Sequence, residues 1–306
     1  MPKRTNEFQR LVYLVQTNLA DGAKVKESLL MRDRLSGGRR EVDIVIFGKV
    51  GQHDVIVSIE CRDHKRVADI QWVDAMRTKH DQLDTSALIL ASSKGFTPEA
   101  RAVAEKYGIA LFTLEDLGNQ DLSMKFGLEG TLWHKTFNIS ATEVKISVKA
   151  TKELVAERIA VLPDNLMYLT DGRVLGEVKD FVSEMLKTKT TGDYLQKEGK
   201  EEHKFFEIFW APPRDHLGRP LYMQMIKPSV KREIESIRVV GTFAVSIGRF
   251  GLRYGRMGNV DIAWGKAVID GRQALAVATI SDSGEKKLSL HVEGSAVDPK
   301  VKEQKQ

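Results

Sequence analysis

Apolar residues first recur at helical spacing. Phe8, Leu11, Val12, Val15 and Leu19 mark one face of a helix. Asn6 stands at its N-cap, with Gln9 three residues on as a capping-box partner, and Asp21-Gly22 ends it. Alternation then takes over. Lys24 to Leu30 reads as a strand running into a polar turn at Ser36-Gly37-Gly38. In "EVDIVIFG", Val42, Ile44 and Ile46 share one face, and Asp43, Val45 and Phe47 the other. In "VIVSIECR", Val55, Val57, Ile59 and Cys61 oppose Ile56, Ser58, Glu60 and Arg62. Both faces stay apolar until the end of that strand, the mark of a central strand. A helix over residues 69–84 carries Val73, Met76, His80 and Leu83 on one stripe. "SALILAS" is a short buried strand. "TPEARAVAEKYG" is a helix with Thr97 as cap, Pro98 in its first turn and Gly108 as its stop. "IALFTL" is a closing strand. This order predicts an α/β N-terminal domain, a mixed sheet flanked by helices.

Beyond Leu117 the pattern changes. "GNQDLSMKFGLEGTLWHK" reads as a linker, and strand-like runs follow, two pairs of them turning at Asp171-Gly172 and Asp270-Gly271. One helix, residues 177–187, interrupts them, and the polar "KTKTTGDYLQKEGKEEHK" reads as a mobile insertion. The expected division is 1–120 as the α/β domain, 121–295 as a β-rich domain, and 296–306 as a disordered tail. Trp210, Tyr222, Phe243, Phe250, Tyr254 and Trp264 read first as core residues. "GRFGLRYGRMG", residues 248–258, interleaves Arg249, Arg253 and Arg256 with Phe250 and Tyr254, a composition that suits single-stranded nucleic acid and a basic hairpin alike.

Composition narrows the classes. Hydrophobic residues make up 42% of 306, enough for packed cores. The single cysteine excludes a disulfide framework within the chain and points to a reducing, cytoplasmic setting. No apolar run is long enough to span a bilayer and no signal peptide stands at the start, so no membrane association is expected. A formal net charge of +5 favours a polyanionic partner only weakly.

The candidate chemistry sits where two strands meet. Glu60 and Arg62 point the same way from one strand, and Asp43 lies on its neighbour. Taken singly, each has an ordinary explanation: a strand-edge ion pair, or a turn. If the strands pair, Asp43 and Glu60 approach closely, and two part-buried carboxylates repel unless a cation joins them. Mg²⁺, which takes a few carboxylate oxygens and keeps its waters, suits that donor set. Glu7 at the helix edge and the backbone carbonyl of Cys61 are candidate additional ligands. The Cys61 thiol has no catalytic partner and reads as a small core group.

This pattern resembles the PD-(D/E)xK nuclease superfamily. With the flanking "CRDHKRVADIQWVDAM" and "ASSKGFTPEARAVAEKYGIALFTLEDL", the first 117 residues or so resemble the Mrr-like restriction endonuclease domain. The resemblance implies a Mg²⁺-dependent endonuclease, with Mn²⁺ as a substitute, that hydrolyses DNA and acts against foreign DNA. Asp43 and Glu60 would hold the metal, and Gln71 falls where relatives place a glutamine near the phosphate. The family's motif lysine falls on Arg62, which can stabilise charge but not act as a base. Three readings stay open: Arg62 works electrostatically, Lys65 takes the role, or the domain is a catalytically inactive nuclease fold that binds nucleic acid or serves in assembly. Arg40, Lys65, Arg66 and Lys94 are the candidate phosphate contacts. Cutting both strands calls for two active sites, so a homodimer is expected; RNA is the alternative substrate.

Overall fold

The structure is a computed structural model that describes residues 6–117, 120–198, 203–226 and 229–294. The expected tail, 296–306, lies outside the described residues. The chain forms two compact units. One takes the described residues up to His134 together with those from Gly248 to residue 294, and the other is Lys135–Ile247.

The first unit opens with helix α1 (Glu7–Leu19), and Asn6 caps it by accepting the Gln9 N–H at 2.7 Å. Strands β1 (Lys24–Arg32), β2 (Arg39–Val50) and β3 (His53–Arg62) pair antiparallel in sequence order. Helix α2 (Ile70–Asp81), β4 (Ala87–Ser92), α3 (Pro98–Lys106) and β5 (Ala110–Asp116) follow, with β3, β4 and β5 parallel. β3 is central, as its two apolar faces predict. Helix α1 packs on one face of the sheet through Leu11, Val12 and Leu14 against Ile44, Ile59 and Ala91. The other face meets α2 and α3, where Val73, Ala100 and Ala104 pack on Leu88 and Leu90.

The linker expected after residue 117 instead holds α4 (Gln120–Phe126), and β6 (Thr131–Val148) begins inside it. In the second unit come β7 (Glu157–Ala160), β8 (Leu166–Tyr168), β9 (Val174–Glu177), α5 (Val178–Leu186), α6 (Lys189–Glu198), β10 (His203–Trp210) and β11 (Tyr222–Gln224). The insertion expected to be mobile is therefore helical over α6. Met167, Val182, Phe206, Leu221, Ile237 and Phe243 share this unit's core.

The largest departure is β12 (Lys231–Met257), one 27-residue strand where separate strands were expected. Its last residues return to the first unit and pair with β5, Gly255 opposite Asp116 and Met257 opposite Leu114. The sheet continues antiparallel through β13 (Val260–Ile269), β14 (Arg272–Ile280) and β15 (Lys286–Val292). Asp270 and Gly271 join β13 to β14 at φ 51° and 72°, the two positive angles a tight hairpin turn requires. Met257, Ile262, Trp264, Leu275 and Val277 enter the same core as α1. Residues 248–294 thus complete the first unit, whereas the sequence division grouped them with 121–247. Strand periodicity reports that a segment is extended, not which sheet it joins.

Candidate functional site

The site begins as a fault in a ladder. β2 and β3 pair as far as Ile44 opposite Ile59, and one step further the register sets Asp43 against Glu60. There the Asp43 carboxylate takes over from the backbone: its Oδ2 accepts the Cys61 N–H at 2.7 Å. The β1 side is interrupted at the same place. Glu27–Ile44 and Leu29–Val42 pair on either side of Ser28, which holds φ at 51° opposite Asp43. Glu27 faces α1, where Arg10 meets it at 2.5 Å, and Ile44 packs on α1 as well. Leu29 and Val42 pack with Leu83 instead. Side-chain alternation is therefore reset across Ser28 and Asp43, the kind of local fault that re-aims a side chain. Gln9 spans the gap from α1, donating to the Asp43 carbonyl at 3.2 Å and the Ser28 hydroxyl at 3.4 Å. The Gln9 side chain thus serves the sheet, not the capping box its spacing suggests.

Glu60 is 6% exposed. Its charged form is penalised first by burial and further by Asp43 and Glu41, and its pKa is pushed up to about 7 despite the opposing pull of Lys79. Burial also raises the Asp43 carboxyl, against the Cys61 N–H and the Lys79 charge. Lys79, one of the basic residues that flank the site in the sequence, is the cation that meets Glu60, a role the sequence does not assign to it. It reaches in from α2, with Nζ 2.7 Å from Glu60 Oε1 and 2.6 Å from the Glu41 carbonyl. In the sequence nothing sets it apart from Arg77 on the same helix, and only the packing of α2 on the sheet selects it.

The other candidates are distributed as follows. The Arg62 guanidinium turns to Asp69 at 3.5 Å and lies 5.6 Å from the Trp72 ring centroid, so it anchors the start of α2. Gln71 is exposed in the first turn of α2, eight residues before Lys79 and on the same helical stripe. Glu7 is not brought to the pair. It is exposed and bonds to Lys266 on β13, because α1 covers the opposite sheet face and positions 7 and 9 point to opposite sides of the helix. The Cys61 thiol is raised by burial and stays protonated, leaving only its backbone to serve.

Among the expected phosphate contacts, Arg40 is engaged by Asp33 at 2.5 Å. Lys65, Arg66 and Lys94 are exposed on two loops at the C-terminal ends of parallel β3 and β4. Those loops are tied together: Ala68 donates to the Gly95 carbonyl and Thr97 to the Ala68 carbonyl, both at 2.9 Å, and Ser93 Oγ donates to Asp63 at 2.8 Å. Ser92, at the strand end, is buried, so the three cations project from a braced edge.

Among the described residues, no three His, Cys, Asp or Glu side chains gather into a ready-made metal cage. The donor set fits a hard cation all the same. Asp43 and Glu60 each offer carboxylate oxygens, and the Cys61 carbonyl would add another; such a partial shell suits an ion that keeps waters for a phosphate. Burial raises both carboxyls, and bound positive charge would relieve that cost.

Residues 19–119 match the Mrr catalytic-domain family model, described as a restriction endonuclease. Comparison with curated proteins finds no match. A solved structure, that of the protein of unknown function AF1548, aligns at 18% identity over 35% of this chain and 57% of its own, with a TM-score of 0.30. The alignment thus spans little more than half of that chain.

Proposed function

We propose that the first unit is a Mg²⁺-dependent endonuclease that hydrolyses DNA phosphodiester bonds, with Mn²⁺ able to replace Mg²⁺. The observation that carries this reading is the meeting of Asp43 and Glu60 across β2 and β3, with Lys79 on Glu60, inside the stretch that matches a restriction endonuclease family.

Asp43, Glu60 and the Cys61 carbonyl would hold the ion, which when bound polarises the scissile phosphate and lowers the pKa of a water. The remaining roles belong to the chain. The Cys61 N–H fixes the Asp43 carboxylate in one orientation. Lys79, already beside Glu60, offers a cation where negative charge builds on the phosphate, the role the resemblance assigns to Arg62. Arg62 holds Asp69 and Trp72 and so keeps α2, and with it Lys79, in place. Gln71 extends the same helical stripe toward the phosphate. Lys65, Arg66 and Lys94 grip the strand by its phosphates, with affinity but no sequence preference. Action against foreign DNA, a cytoplasmic setting, and a pair of copies cutting the two strands complete the reading. No helix among the described residues is long and apolar enough to cross a membrane.

Plasmid cleavage tests it. The protein cuts with Mg²⁺ or Mn²⁺ and stops with EDTA, and Asp43→Ala and Glu60→Ala abolish cutting. Lys79→Met lowers the rate by about 100-fold, while Arg62→Met leaves more activity than Lys79→Met. Undiminished cutting by Glu60→Ala refutes the site. Salt-sensitive DNA binding with no cleavage under any divalent ion assigns the fold to binding alone.

A further inference from the structure

The last part of β12 carries a second constellation, on the sheet face that meets α1 and not on the face bearing Lys79. Phe250, Leu252 and Tyr254 point inward and pack with Leu122 and Phe126. Arg249, Gly251 and Arg253 therefore line the outer face, and all three are exposed. The aromatic residues interleaved in the sequence are thus buried, and a different one takes their place outside. Trp133 on β6 is 59% exposed, while its neighbour Leu132 packs beneath. The Arg249 guanidinium carbon lies 5.3 Å from the Trp133 ring centroid.

Gly251 makes the floor. A Cβ there would meet nothing within 4 Å, so the space above its backbone is open. Directly across the ladder from Gly251 stands Lys266, exposed on β13. An uncovered stretch of strand is thus bordered by Arg249, Arg253, Lys266 and an outward indole. Arg253 lies over Trp264 and bonds to Asp116, and Lys266 bonds to Glu7, which holds both cations at the margin of the open floor.

We propose that this face binds single-stranded nucleic acid, with a base stacked on Trp133 and the adjoining phosphates set against Arg249, Arg253 and Lys266. Stacking and spaced cations together are what an unpaired strand offers partners for, since every base has a π-face and every link a charge. A duplex keeps its bases inside and leaves Trp133 without a partner. The inference does not depend on cleavage, because none of these residues belongs to the Asp43–Glu60 site.

The test uses the full chain in EDTA, with fluorescence anisotropy of labelled dT15, rU15 and a 15-base-pair duplex. Trp133→Ala weakens binding of the single strands roughly tenfold and leaves the duplex unchanged, while Trp133→Phe restores most of the affinity. Arg249→Ala weakens binding and lowers the slope of log affinity against log salt by about 0.7. Tight binding of either single strand with this pattern supports the assignment. Failure to bind both strands, wild-type affinity in Trp133→Ala, or an equal loss on the duplex overturns it.

Discussion

Glu60 holds its proton to about pH 7, against 4.5 in an unfolded chain. Between those values the native state binds more protons than the unfolded state, so this group's contribution to stability falls as pH rises. Fully deprotonated, it costs about 3 kcal/mol relative to low pH. Denaturant titrations from pH 4.5 to 8 on wild type and Glu60→Gln should therefore diverge in slope, the variant lacking the decline. A divalent ion that binds the carboxylate opposes the loss, so Mg²⁺ should raise the melting temperature at pH 8 and have little effect at pH 5. Equal Mg²⁺ shifts at both values would count against Glu60 as a ligand. The acidic half is legible as two carboxylates that meet if the strands pair, and the Ile44–Ile59 register sets them opposite. The cationic half is not. Strand parity favours Arg62, but parity fixes only the face, and Asp69 and Trp72 claim the guanidinium while Lys79 arrives from a helix 19 residues downstream of Glu60 in sequence.

Helix and turn boundaries are legible where the chemistry is local. Asn6, Asp69 and Thr97 each cap a helix through the side chain, accepting from the backbone N–H three residues on. The Asp270-Gly271 hairpin follows from the positive φ its residues tolerate. The kink at Ser28 was not readable, because Ser28 adopts its left-handed conformation through contacts made by another element. Gln9 supplies them, and it is 3% exposed. Gln9→Ala leaves the Asp43 carbonyl without that donor and should cost roughly 1–3 kcal/mol, measured by equilibrium denaturation. It should also slow cleavage by letting Asp43 drift. A variant as stable and active as wild type would show that the kink stands without α1.

For the whole molecule, the consequence lies in residues 248–294. Trp264, Leu275 and Val277 help form the core under α1, and Asn18 on that helix donates to the Val277 carbonyl at 3.3 Å and accepts from Ser289 at 2.5 Å. A chain ending at residue 120, the boundary expected from sequence, exposes this core and should not fold; circular dichroism and size-exclusion chromatography check it. A cooperative, monomeric 1–120 fragment would show the C-terminal strands to be dispensable. Near neighbours along the chain account for the order of helices and strands, for their caps and turns, and for a carboxylate on each of two adjacent strands. Packing in three dimensions selects which cation faces that pair, which side of the sheet Glu7 occupies, and the return of β12 to β5. Periodicity encodes which face of an element is apolar, whereas the choice of partner for that face depends on packing between elements, some of them as far apart in the chain as Glu7 and Lys266.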